Sequence, residues 1–165
     1  MKKFSFTGNE TIDARIEELL GPQCENIGRY SFCKDHYTNI NDMLGKTLVE
    51  IIGAEEESEN ILFVCSDGSV YLMYHEQDCC ESVDINDVCG DVSRLIGYPL
   101  TKAEESNSAD DPDLDIDPKE VNAYEDDSHT WTFYHLATIK GYVDIRWFGT
   151  SNGYYSETVD MLKLK

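Results

Sequence analysis

The chain has 165 residues, 41% of them hydrophobic, and a formal net charge of -20 from 33 Asp and Glu against 13 Lys and Arg. That length suffices for one well-buried core. The charge argues against direct nucleic-acid binding and against an anionic membrane, because both need clustered basic surface.

In chain order, residues 9–20 predict an amphipathic helix. Asn9 or Thr11 caps it, Ile12, Ile16, Leu19 and Leu20 share a face, and Gly21-Pro22 ends it. Residues 22–41 mix Gly, Pro, Asn, Cys and aromatics without a period and read as an irregular lobe. From Thr47 the pattern is β, over Thr47 to Ile52, Asn60 to Cys65 and Ser69 to His75. Asp67-Gly68 predicts a type I′ hairpin turn. Pairing outward from it sets Ile61, Phe63 and Cys65 beside Val70, Leu72 and Tyr74 on one core-facing side.

Asn86 to Ile96 predict a second helix with Val88, Val92, Leu95 and Ile96 on its buried face. Lys102 to Asp127 then holds eleven acidic residues and two lysines, a net -9, and its part from about 103 to 127 reads as an acidic loop. A second hairpin runs from Trp131 to Ile139, turns at Lys140-Gly141 and returns through Tyr142 to Phe148. It places Tyr134, Leu136 and Thr138 beside Val143, Ile145 and Trp147.

The two hairpins belong to a repeated pattern. Met43 to Leu48 matches Leu95 to Leu100, Asp67-Gly68 matches Lys140-Gly141, and Cys80 to Ile85 matches Ser156 to Met161, in one order. The expected fold is α+β. Two tandem related β-rich units, each a short helix, a strand, a hairpin and a strand, form one antiparallel sheet or two packed sheets, with an amino-terminal helix. Residues 1–165 make a single domain: lobe 1–41, first unit 42–85, helix and second unit 86–165. Glu81 and Glu157 should occupy equivalent places in the two fourth strands.

No run of about 18 apolar residues occurs, and Met1 to Gly8 lacks the apolar stretch of a secretory signal, so a cytoplasmic location is expected. In that reducing setting Cys24, Cys33, Cys65, Cys79, Cys80 and Cys89 are expected as free thiols, with Cys65 packing as a small hydrophobe.

Three groups of residues could carry function. His75, Asp78, Cys79, Cys80 and Glu81 form the densest reactive cluster, where an imidazole could activate a thiol or share a metal. Adjacent strand residues point to opposite faces, and the spacing is not a Cys-x-x-Cys knuckle, so turn and packing roles compete. Cys24, Cys33 and His36 offer a second metal candidate that lacks a fourth ligand, and no bound metal or cofactor is expected.

The outward face of the second hairpin gathers Trp131, Phe133, His135, Tyr142, Asp144, Arg146 and Phe148, with His135 expected opposite Arg146. Such a surface suits a small ligand or a protein, unless the amino-terminal helix or lobe covers it. The third group is Asp110, Asp111, Asp113, Asp115 and Asp117, which could imitate nucleic-acid phosphates in a basic groove of a partner protein. The bland alternative is a solvated charge run. No Walker loop, Gly-x-Gly-x-x-Gly, His-Glu-x-x-His or Gly-x-Ser-x-Gly motif occurs.

At His75-Glu76-Gln77-Asp78-Cys79-Cys80-Glu81-Ser82-Val83, with Ser128 to Tyr134 and Gly149 to Glu157, the chain resembles a family of small proteins from tailed bacteriophages. The likeness covers roughly residues 43–161 and brings no catalytic residues with it. It implies a phage product acting in the bacterial cytoplasm. The expected function is a non-enzymatic binding protein that sequesters or inhibits a host factor, in counter-defence or as a nucleic-acid mimic. The alternative is a metal- or thiol-dependent enzyme centred on His75 to Glu81.

Overall fold

A computed structural model describes residues 3–108 and 128–165. The Asn9 side chain accepts from the N–H groups of Thr11 and Ile12, and Gly21 stops the helix at φ 58°, giving helix α1 (Glu10–Leu20). Ile12, Ile16 and Leu20 are buried along it. The following lobe is more regular than expected. A 3-10 helix spans Gly21–Asn26, and a second helix, α2, spans Tyr30–His36. At seven residues, with only Cys33 buried, α2 is too short to write a helical period into the sequence.

A 3-10 turn at Ile40–Met43 leads into strands β1 (Leu48–Ile52), β2 (Asn60–Cys65), β3 (Val70–Tyr74) and β4 (Ser82–Cys89). Another at Val92–Leu95 leads into β5 (Lys102–Ser108), β6 (Ser128–Thr138), β7 (Gly141–Ser151) and β8 (Asp160–Lys163). The described strands form two antiparallel sheets, ordered β1-β2-β3-β8 and β4-β7-β6-β5. Each run of four therefore sends its last strand into the other sheet.

The two sheets pack face to face around one core, with Phe63, Tyr71 and Met73 on one side and Tyr134, Ile145 and Trp147 on the other. A second cluster lies on the far face of the first sheet, where Leu62, Val64, Val70 and Leu72 meet Ile12, Ile16 and Leu20 of α1. The first sheet is thus buried on both faces, and every residue of β2 and β3 is buried. The second sheet alternates between buried and half-exposed positions.

This layering corrects three expectations. The first hairpin has a three-residue turn, Ser66 to Gly68. Cys65 donates its N–H to Ser69 at 2.9 Å and accepts from Gly68 at 3.1 Å, with Gly68 at φ 88°. Its pairs are Phe63 with Tyr71 and Leu62 with Leu72, so Val70, Leu72 and Tyr74 face the helical lobe rather than the inter-sheet core. The second hairpin pairs Thr138 with Gly141 across Ile139-Lys140, which shifts its partners but keeps the expected faces. Asn86 to Ile96 is not a helix. Through Cys89 it is strand β4, and only Val92–Leu95 makes a 3-10 turn. A bulge between Ile85 and Asp87 breaks the two-residue period there and hides the strand.

Gly149 lies where β7 meets both exchanged segments. A Cβ there would sit 2.7 Å from the Glu157 carbonyl oxygen and 3.2 Å from Val83 Cγ2. The Gly149→Ala variant is expected to lose about 1–3 kcal/mol, the usual cost of overpacking, as a lowered midpoint in urea denaturation.

Candidate functional site

The reactive cluster lies on the crossover from β3 to β4. His75 and Glu81 leave 4% and 0% of their side chains exposed. The His75 ring lies between two acceptors, with Nδ1 2.7 Å from the Thr158 carbonyl and Nε2 3.0 Å from Glu81 Oε1. Glu81 also accepts the backbone N–H of Asp78 at 2.6 Å and of Cys79 at 2.9 Å. Burial works against its charge, but the bonds from Asp78, His75 and Cys79 outweigh it and hold the carboxyl down to about 2.

The neighbouring crossover is tied to the same point. Thr158 lies two residues before the start of β8, and the Glu76 N–H donates to Asp160 of β8 at 2.9 Å. Glu157, 7% exposed, accepts from Ser151 at 2.7 Å and Thr130 at 2.8 Å. Glu81 and Glu157 therefore precede β4 and β8 rather than lying within them, and each is a buried acceptor at a crossover.

Cys79 and Cys80 are joined to each other by a disulfide, which corrects the expectation of free thiols at these positions. Cys24, Cys33, Cys65 and Cys89 remain as thiols. Burial raises the Cys65 thiol to about 11, as suits a packing role. Asp78 contributes its N–H to the Glu81 cage. His36 stacks on Phe32 at 3.8 Å and faces the Phe32 carbonyl, while Cys24 and Cys33 are buried in the helical lobe. Among the described residues no group of His, Cys, Asp and Glu is arranged to hold a metal.

The outward face of the second sheet is a separate site. The helical lobe packs on the first sheet and does not cover it. His135 lies opposite Asp144, and Arg146 opposite Phe133, so the expected His135–Arg146 pairing is corrected by the turn register. His135 Nδ1 is 2.7 Å from Asp144, and its Nε2 is 3.1 Å from Ser106 of β5. The Arg146 guanidinium lies 5.6 Å from the Trp131 ring centre, and its Nε donates to Asn86 at 2.8 Å, with Asp87 at 3.7 Å. Trp131 packs on Phe148 at 4.2 Å and is itself 3% exposed, while Phe133, His135 and Arg146 are half-exposed.

The sequence reading missed Asn86, Asp87 and Ser106 here. The alternation Val83, Ile85 was the signal for the strand that carries the first two. Asp110, Asp111, Asp113, Asp115 and Asp117 lie outside the described residues.

Residues 41–161 match the model of a family described as a domain of unknown function, DUF7448. The chain belongs to the DUF7448 family. The DUF7448 span takes in β1 to β7, ends within β8, and leaves α1 and α2 outside it. The curated proteins and the solved structures give no match. Among the described residues, no helix is long and apolar enough to cross a membrane.

Two outcomes follow from the crossover chemistry. Glu81 titrates below its ordinary value in the folded chain, so it stabilises the fold above the unfolded carboxyl value of about 4.3, and that stabilisation is lost as pH falls toward about 2. Urea midpoints measured from pH 6 to pH 2 should therefore fall more steeply for the native chain than for Glu81→Gln. Thiol titration of unreduced, denatured protein should count the four free cysteines, and all six after reduction.

Proposed function

We propose that this protein is a non-enzymatic binding protein whose second-sheet outward face docks on a basic groove of another protein and blocks it. The observation that carries this reading is the composition of that face. Half-exposed Phe133, Phe148 and Arg146 sit beside Asp87, Asp144 and Glu104, on a chain of net charge -20. Aromatic and arginine anchors within an acidic surround suit a basic protein surface in both packing and potential. The resemblance to small tailed-phage proteins supports a bacterial host factor as the partner and the bacterial cytoplasm as the place of action.

The enzyme alternative has less support from the same geometry. Glu81 accepts from His75 and two backbone groups, so the imidazole and carboxylate of the cluster serve as a structural fastening.

The test compares proteins retained from a bacterial lysate by the immobilised native chain and by Phe133→Ala and Asp87→Lys/Asp144→Lys variants, each checked for folding by circular dichroism. A basic protein should bind the native chain, bind about tenfold more weakly to Phe133→Ala, and be released as salt shortens the Debye length from about 10 Å at 0.1 M to about 3 Å at 1 M. Identical retention by the native chain and both variants would remove the face from consideration. Replacing Asp110, Asp111, Asp113, Asp115 and Asp117 by Asn and Ser tests the phosphate-mimic reading separately, which predicts weaker binding at unchanged thermal stability.

A further inference from the structure

A cleft of about 550 Å3 opens between the helical lobe and the crossover from β3 to β4, at the edge of the first sheet. That volume lies within the range of small-molecule sites. Its walls are built in place. Thr7 and Phe6 are held to α1 because Asp13, 3% exposed, accepts the N–H of Thr7 at 2.9 Å and of Phe6 at 3.2 Å. Asn60 of β2 donates to the Thr7 carbonyl at 3.0 Å, pinning the same arm from the other side. Gly28, at φ 87°, lies so close to the Phe6 ring that a Cβ would come within 2.9 Å of it.

Two features of this cleft point to its occupant. Tyr74, at the end of β3, lines it and is 5% exposed, yet among the described residues its hydroxyl finds no hydrogen-bond partner. A buried hydroxyl without a partner is uncommon in a native fold, and one lining a cleft is an anchor for a polar group brought from outside. The second feature is charge. Glu59 and Glu76 line the cleft, no Lys or Arg among the described residues does, and His75 is engaged by Thr158 and Glu81. Glu55, Glu56 and Glu57 line the adjoining depression that shares Glu59. Phe6 stands edge-on to Tyr74 with ring centres 5.6 Å apart, so aromatic surface flanks the carboxylates.

We infer that the cleft between Phe6, Tyr74, Glu59 and Glu76 binds a small aliphatic amine in its ammonium form. The carboxylates exclude anions and attract the ammonium group, the aromatic rings accept a cation and its methylene body, and the Tyr74 hydroxyl accepts an N–H. This site is independent of the second-sheet face and goes beyond the protein-binding reading.

Titration calorimetry on the full chain at low ionic strength tests it, with putrescine as the probe, butanediol as the uncharged probe of the same length, and succinate as the anionic one. Putrescine should bind, and the other two should not. Tyr74→Phe keeps the ring and should weaken putrescine about tenfold, the effect of one hydrogen bond to a charged group. Glu59→Gln, at the cleft rim, should weaken it as well, while Phe133→Ala on the other face should leave it unchanged. Absence of heat with putrescine, equal binding of butanediol, or native affinity in folded Tyr74→Phe would overturn the assignment.

Discussion

A charged carboxylate removed from water must find hydrogen-bond donors where it lies, and at Glu81 that requirement shapes the middle of the fold. Its side chain is fully buried, and the N–H groups of Asp78 and Cys79 together with the His75 ring are its donors. Satisfying it curls residues 75–81 into a tight cage at the point where the chain leaves the first sheet for the second. Because His75 also meets Thr158, the same cage holds the return path into β8. Loss of one donor would leave a buried charge short of partners, which is far more disruptive than loss of an exposed ion pair.

The strand exchange assigns the faces of the two sheets. The first sheet, with β8 added, is covered by the other sheet on one side and by α1 on the other, so it carries little surface chemistry of its own. Its ends, however, frame the cleft around Tyr74. The second sheet turns one face to the shared core, and its other face carries the mixture of aromatics, His135, Arg146 and carboxylates. Among the described residues, surface chemistry is therefore concentrated at two places, one at the edge of the buried sheet and one on the outward face of the second sheet.

The sequence revealed elements more readily than partners. α1 was legible from its cap and its apolar spacing, and the β6–β7 hairpin from its long alternation, because both are regular over enough residues to write a period. β2 and β3 were legible as strands, but not as strands buried on both sides. Their continuous apolar runs were read through an assumed two-residue turn, and the Gly68 turn, one residue longer, moved Leu72 and Tyr74 to the other face. The bulge near Asn86 disguised the second half of β4, Asn86 to Cys89, as the start of a helix and so concealed the neighbours of Arg146. The reactive segment was found by its density of side chains, but its structural role depends on backbone N–H groups and on Thr158, which no local pattern announces. Tyr74 gave no signal either, since an unpartnered hydroxyl is a property of the folded neighbourhood alone.

The exchanged strands and the Glu81 cage make the two sheets one cooperative unit. Native-state amide exchange along β2 and β3 reports the first sheet, while fluorescence of Trp131 and Trp147, both in the second, reports the other during urea unfolding. The account predicts that the free energy of opening for the most protected β2 and β3 amides equals that of the fluorescence transition, in one coincident step. Opening of either sheet at a distinctly lower free energy than the other would contradict it.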